Sequence, residues 1–420
     1  MLDRRTTAAV RLALGASDAP SGEGAAGAPA LENIASKFSP PLTCEDASRD
    51  RVYDLRRALW GISEIARCRR CGRVPIGSAV AVQHSPELGA GFGGLETCGS
   101  VWVCPVCARK IAARRQVEIG TALGTWQDQG GAFALVTLTM RHGHRHRLLQ
   151  EIDALTAAWH SVNRSRVWGK HRDRLGSPGY IRVLEITHGQ NGWHAHLHFV
   201  LLVAGGTSAA DVARLADWLF PKWHRAVLAA GMPGALAVGQ DARLVDGATA
   251  TDNIAGYLTK AGSEDPARDL GRELMGAMSK TARSDHGTQP VWRLPEQFLE
   301  TGEADLIDRW LEYEAATFRR RQLVWSAGVR DLLRLGQELT DDEIAEESAG
   351  DEIVVWITRA GWRTALSLGE PTSRILAALE HGGPEGLREH LDSRGIAYVT
   401  HLSDLTARDV PPALADRETS

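Results

Sequence analysis

The sequence predicts an α+β protein on three observations: a long β-hairpin, a few shorter runs of β-branched and apolar residues, and several stretches with helical apolar spacing. The hairpin runs from Gly179 to Val203, where two alternating apolar segments flank the turn cluster His188-Gly-Gln-Asn-Gly192. His194, His196 and His198 recur at a spacing of two, so a strand projects all three rings from one face. With the turn centred near Gln190, Glu185 falls opposite His196 and points to the same side. Imidazoles with one carboxylate suit a divalent cation such as Mn or Mg, with open positions for a phosphate oxygen. The plain alternative is a set of exposed or satisfied core histidines.

The 420 residues suffice for two or three domains, and 43% hydrophobic with 24% charged residues is ordinary for a globular chain. No apolar stretch reaches membrane-spanning length and no signal-peptide pattern opens the chain, so a cytoplasmic protein without a membrane partner is expected. A formal charge of -4 argues against non-specific coating of nucleic acid. Local basic clusters remain, at Arg109 to Arg115, Arg141 to Arg147, Arg164 to Arg174 and Arg319 to Arg321. Such clusters are most often solvated faces.

In chain order, residues 1–45 are rich in Ala, Gly, Ser and Pro without periodicity and read as a disordered tract. Residues 46–116 form a zinc-binding segment. Cys68-Arg-Arg-Cys71 and Cys104-Pro-Val-Cys107 are two C-x-x-C knuckles separated by a Gly-rich, hairpin-like stretch, and four thiolates match a closed structural zinc site. Cys98 is spare or a substitute ligand. Arg109 and Lys110 follow on a predicted helix and are candidate contacts to a phosphate backbone, unless the zinc only braces the fold.

Residues 117–265 form the core. Phe133 to Thr139 is a strand, with the Thr137 and Thr139 hydroxyls and the tip at Arg141 as candidate DNA contacts. Helices are expected at 148–162, with Leu155 and Trp159 in the core, and at 208–230 with Thr207 or Ser208 as cap, with Trp218 and Trp223 packed inward. The stretch 164–174 reads as a basic loop, and 239–245 as a further strand. Thr251 to Lys260 reads as a capped helix on which Tyr257 and Lys260 share a face. A neighbouring cation or a metal-polarised phosphate would help a tyrosine attack as a nucleophile, since its reference pKa is about 10. Residues 266–347 are irregular and then helical from 304 to 335, with Trp310, Tyr313 and Phe318 spaced for packing. Residues 348–420 read as a small add-on containing the strand Ile353 to Ile357.

Three features now stand in a fixed order: Val136-Thr-Leu-Thr139, Trp193-His-Ala-His-Leu-His198 and Tyr257-Leu-Thr-Lys260. This order resembles the motifs of HUH endonucleases, most closely the rolling-circle replication initiators of actinobacterial plasmids, whose cysteine segment the Cys104-Pro-Val-Cys107 region is similar to. The resemblance implies a central antiparallel sheet with helices on one face. It implies that His196 and His198 are the metal pair, with His194 an additional histidine and Glu185 a third ligand. Tyr257 would be the nucleophile that cuts one strand and keeps its 5' phosphate, and Lys260 would steady that phosphate. Relatives that terminate with one tyrosine tend to carry a carboxylate one turn before it. Here Asn253 holds that place, beside Asp252, the remaining candidate hydrolytic acid. Implied partners are plasmid origin DNA, as duplex and exposed single strand, with a host helicase and DNA polymerase. The alternatives are an HUH transposase or relaxase, or a zinc-dependent DNA-binding regulator without catalysis.

Overall fold

The structure is a computed structural model, described for residues 44–85, 89–245, 288–347 and 352–405. The described chain forms two compact units, one from the residues up to Ala108 together with those from Asp341 onward, the other from Arg109 to Thr340. In chain order the strands are β1 (Ala79–Ser85), β2 (Gly89–Gly93), β3 (Gly131–Leu138), β4 (Tyr180–Gly189), β5 (Gly192–Ala204), β6 (Asp241–Val245), β7 (Thr288–Pro290), β8 (Leu323–Trp325), β9 (Glu352–Thr358) and β10 (Tyr398–Val399). Among the described residues no helix is long and apolar enough to cross a membrane.

The Arg109–Thr340 unit is an α+β layer structure on an antiparallel sheet in the order β6-β3-β5-β4-β7, with β8 also pairing β4. Strand alternation divides its side chains between two faces. On one face Phe133, Ile181, Val183, Val200 and Leu202 pack with Ile119, Ala122 and Leu123 of the helix Pro105–Asp128, and with Val329 and Leu333. On the other face Trp159, from the helix Leu148–Asn163, meets Phe199 at 4.2 Å and Tyr180 at 5.3 Å between ring centroids. Trp223, from the helix Ala209–Ala229, is fully buried and donates its indole N–H to the Thr139 carbonyl at 2.6 Å. Each fully buried large side chain contributes about 1.5–3 kcal/mol relative to exposure, which is why these aromatics fix the helices to the sheet.

The helix ends follow local chemistry. Of the two caps the sequence offers, Thr207 and Ser208, it is Ser208 that caps the helix Ala209–Ala229, and Asp211 completes a reciprocal capping box with it. Two expectations change. The basic stretch read as a loop is the helix Arg166–Arg174, capped by the Ser165 hydroxyl, which accepts the Val167 N–H. The helical reading from 304 to 335 stops early, because the helix Ala304–Thr317 ends at Phe318 (φ -55, ψ 124) and Arg319 turns left-handed at φ 58. The chain then enters β8. Trp310 and Tyr313 are fully buried as expected, whereas Phe318, beyond the helix, is 52% exposed.

The other unit holds the sheet β10-β9-β1-β2, antiparallel throughout. The stretch 348–420, set apart by the sequence as an add-on, shares this sheet with the cysteine-bearing segment, because β9 pairs β1 from Ala79↔Thr358 to His84↔Glu352. Both strands are apolar runs, and such strands need both faces covered. Val80, Val82, Val355 and Ile357 pack under Trp362, Leu376 and Leu387 from the helices Arg359–Ser367 and Ser373–Ser393, while Ala79, Ala81 and Trp356 pack with Leu405.

Candidate metal centres

The β4–β5 hairpin closes on the two residues Gln190 and Asn191, with Gly189 paired to Gly192, whose φ of +89 favours glycine. Counting back along this register puts Glu185 opposite His196, as the sequence predicts, and Val183 opposite His198. His198 therefore lies diagonal to Glu185 on the same face.

One carboxylate oxygen, Oε2 of Glu185, lies 2.9 Å from His196 Nε2 and 2.8 Å from His198 Nε2. Burial alone would raise the Glu185 carboxyl, but hydrogen bonds from the two imidazoles and their charge outweigh it and hold it well below the usual carboxylate range. The three donor atoms lie within 4.8 Å of one another. Two nitrogens and one oxygen on a shared face, with His198 and Glu185 only half-buried, fit a divalent ion that keeps open coordination positions.

His194 does not join this group. It stacks between His196 (4.7 Å between centroids) and His142 (4.9 Å), and burial, with His196 beside it, pushes its pKa down to about 3. The strand period that aligns three rings on one face does not bring His194 into the group of three ligand atoms that lie within 4.8 Å of one another.

Thr137 takes a role the sequence did not suggest. Its register places it opposite His198, and its hydroxyl lies 3.1 Å from His198 Nδ1, the nitrogen turned away from Glu185. The Thr139 hydroxyl donates to the Gly239 carbonyl at 2.9 Å and accepts from Gln240 Nε2 at 2.9 Å, so it braces the fold in place of the expected DNA contact. The Arg141 side chain is exposed, as its expected role requires. Tyr257, Lys260 and Asp252 lie outside the described residues.

Behind the sheet, Glu151 is fully buried. Its Oε2 accepts the Ala195 N–H at 3.4 Å, its Oε1 meets no hydrogen-bond partner among the described residues, and burial pushes its pKa up to about 8. The available signal was an acid on the apolar stripe of Leu148, Ile152 and Leu155.

In the cysteine cluster the converging thiols are those of Cys71, Cys98, Cys104 and Cys107. Their sulfurs stand 3.6 Å apart for Cys71–Cys104, 3.5 Å for Cys71–Cys107 and 3.8 Å for Cys98–Cys107. A tetrahedral zinc with bonds of about 2.3 Å would space its sulfurs by roughly 3.8 Å, whereas a disulfide needs about 2.05 Å. The quartet therefore fits zinc. It differs from the expected set at one position, with Cys98 in place of Cys68. Cys68, in the helical turn Ala66–Arg70, is buried and interacts with the Cys98 thiol, but its sulfur is not among the four that converge. Cys98 is delivered by a turn at Gly99 (φ +59), where an added Cβ would fall 1.9 Å from Asp342 Oδ1. Asp342 also holds Arg67, at 2.8 Å.

The basic residues after Cys107 diverge. On the helix Pro105–Asp128, Arg109 is exposed and Lys110 half-buried. Arg115 is buried, paired with Glu118 at 2.9 Å and donating to the Leu339 carbonyl at 2.6 Å, so it is no phosphate contact.

Comparison with known proteins adds the following. Residues 95–217 match a family model described as "Replication protein", a span that includes Cys98, Cys104, Cys107, Glu185, His196 and His198. The chain is 30% identical over 390 residues to "Protein rep" of Streptomyces lividans, covering 77% of this chain and 85% of that protein. It is 31% identical over 289 residues to "Neomycin resistance protein" of Streptomyces cyanogenus, covering 53% of this chain and 65% of that protein. No solved structure matches.

Proposed function

This chain belongs to the replication protein family, and from that premise we propose that it initiates rolling-circle replication of a plasmid by nicking one strand at the double-strand origin. The observation that carries the nuclease reading is the convergence of Glu185, His196 and His198 on one point of the hairpin face. Glu185, His196 and His198 would hold a divalent ion, Mn or Mg, which would supply Lewis acidity to the scissile phosphate. Glu185 contributes the anionic oxygen, the rigid hairpin register fixes its offset from both imidazoles, and Thr137 orients His198. The thiolates of Cys71, Cys98, Cys104 and Cys107 would hold a structural zinc.

Tyr257 is the nucleophile in this reading. Its phenol loses a proton and the oxygen attacks phosphorus. The bond to O3' breaks, that oxygen takes a proton to become the free 3' hydroxyl, and the 5' phosphate remains esterified to the tyrosine. Lys260 steadies the phosphate. The 3' hydroxyl primes a host DNA polymerase while a host helicase opens the duplex, in the cytoplasm. At the end of the cycle a 3' hydroxyl attacks the phosphotyrosine, rejoining the strand and releasing Tyr257. If termination uses water instead, Asp252 is the acid placed to activate it.

The test is nicking of a supercoiled plasmid carrying the origin in Mn, in Mg and in chelator. Wild type should give a metal-dependent nick with protein attached to the 5' end, Glu185→Ala should lose both, and Tyr257→Phe should lose the adduct. Origin binding without nick or adduct in any metal would refute the nuclease and leave a DNA-binding regulator.

A further inference from the structure

The helix Arg166–Arg174 concentrates cations on one face; Arg174, in the last turn, meets the favourable negative end of the dipole, but Arg166 and Lys170 gain nothing from it. Arg166, Lys170 and Arg174 are spaced by four, so they line one face over about 12 Å, and like charges at this spacing repel. Arg166 also sits in the first turn, at the positive end of the helix dipole. The flanking Arg164 and these three residues are exposed. Among the described residues none of the four forms an ion pair, and Asp173, the one acid of the helix, is exposed and unpaired as well.

The helix is nevertheless held firmly. Trp168 is buried and stands edge-on to Trp159 at 5.5 Å, and Trp218 stacks on His171 at 4.9 Å. Trp159 in turn packs on Phe199, which strand alternation puts on the sheet face opposite His198. A rigid row of unpaired cations is thereby fixed behind the sheet, away from the metal ligands.

We infer that the Arg166–Arg174 helix is a duplex-DNA anchor that binds the phosphate backbone through Arg166, Lys170 and Arg174. The inference rests on the reading of the chain as an origin-binding initiator. Duplex is favoured over single strand because single-strand sites add exposed aromatic platforms to their cations, whereas here Trp168 is buried and the half-buried Trp218 is already stacked on His171. Phosphate contacts position the protein and carry no sequence information, so the anchor serves any duplex.

The test is the equilibrium binding of the full chain to a fluorescein-labelled 30-base-pair duplex of arbitrary sequence, and to the matching single strand, from 50 to 200 mM salt. The triple variant Arg166→Gln/Lys170→Gln/Arg174→Gln is compared with wild type and with Arg69→Gln/Arg363→Gln/Arg388→Gln as a control for net charge. Three lost phosphate contacts flatten the slope of log K against log salt by about 2.7, so the wild-type advantage over the variant shrinks on the order of 40-fold across that range. The control should keep the wild-type slope, and circular dichroism should show all three proteins folded. A triple variant with the wild-type slope on duplex, or one that loses only single-strand binding, overturns the anchor while the nicking assay leaves the proposed function standing. A wild type that binds no DNA at all sinks both.

Discussion

Thr137→Val removes one hydroxyl from the metal centre and almost nothing else. The side chain keeps its shape on β3, and the register with His198 is backbone-determined, so the change deletes the 3.1 Å contact to Nδ1 and leaves that nitrogen without its partner. A hydrogen bond of this kind is worth about 0.5–1.5 kcal/mol, and a loss near 1.4 kcal/mol corresponds to about tenfold in a binding constant, the lower end of what outer partners of metal-bound histidines contribute. We expect Mn affinity, measured by calorimetry or by the paramagnetic signal of free Mn, to fall about tenfold in Thr137→Val and to recover in Thr137→Ser, which keeps the hydroxyl. DNA affinity in chelator should not change. The opposite pattern, wild-type Mn binding with weakened DNA binding in chelator, would refute the positioning role and restore Thr137 as a phosphate contact.

Two further outcomes are expected. Cys98→Ser should lower the zinc content measured by elemental analysis and hasten zinc release to a chelator, while Cys68→Ser should leave both close to wild type; the reverse would return Cys68 to the quartet. Glu151, pushed up to about 8 in the fold from an ordinary 4.5, holds a proton that the unfolded chain has already lost between those values. The folded state then binds more protons than the unfolded one, so stability falls as pH rises through that window, by at most about 1.4 kcal/mol per pH unit. Glu151→Gln should flatten this decline in urea unfolding between pH 5.5 and 8; a variant with an unchanged decline would place the buried proton elsewhere.

The hairpin was legible because period-two apolarity and a glycine-flanked turn are local signals, and once the turn is placed, counting puts Glu185 against His196. Counting does not measure reach, so His194 looked like a ligand when only its face, and not its distance, was known. The cysteine spacing announced a zinc site and left Cys98 as a spare or substitute ligand, because C-x-x-C fixes proximity along the chain and not which four of five neighbouring thiols converge. The left-handed turn at Arg319 carries no residue signature, unlike a glycine, and so the helix seemed to run on past Phe318. The pairing of β1 with β9 depends on contacts that no local window contains.

That pairing has a consequence in time. Ala79 and Thr358 are register partners separated by roughly 280 residues, and at about 5–20 residues per second a ribosome needs on the order of a quarter-minute to a minute to supply the second after the first. Throughout that interval β1 lacks native cover on both faces and on one edge, while the intervening unit, whose described strands all lie between Gly131 and Trp325, is free to complete itself. The nascent chain therefore finishes its middle before its beginning, and a ribosome stalled short of β9 leaves an apolar strand edge open to other chains.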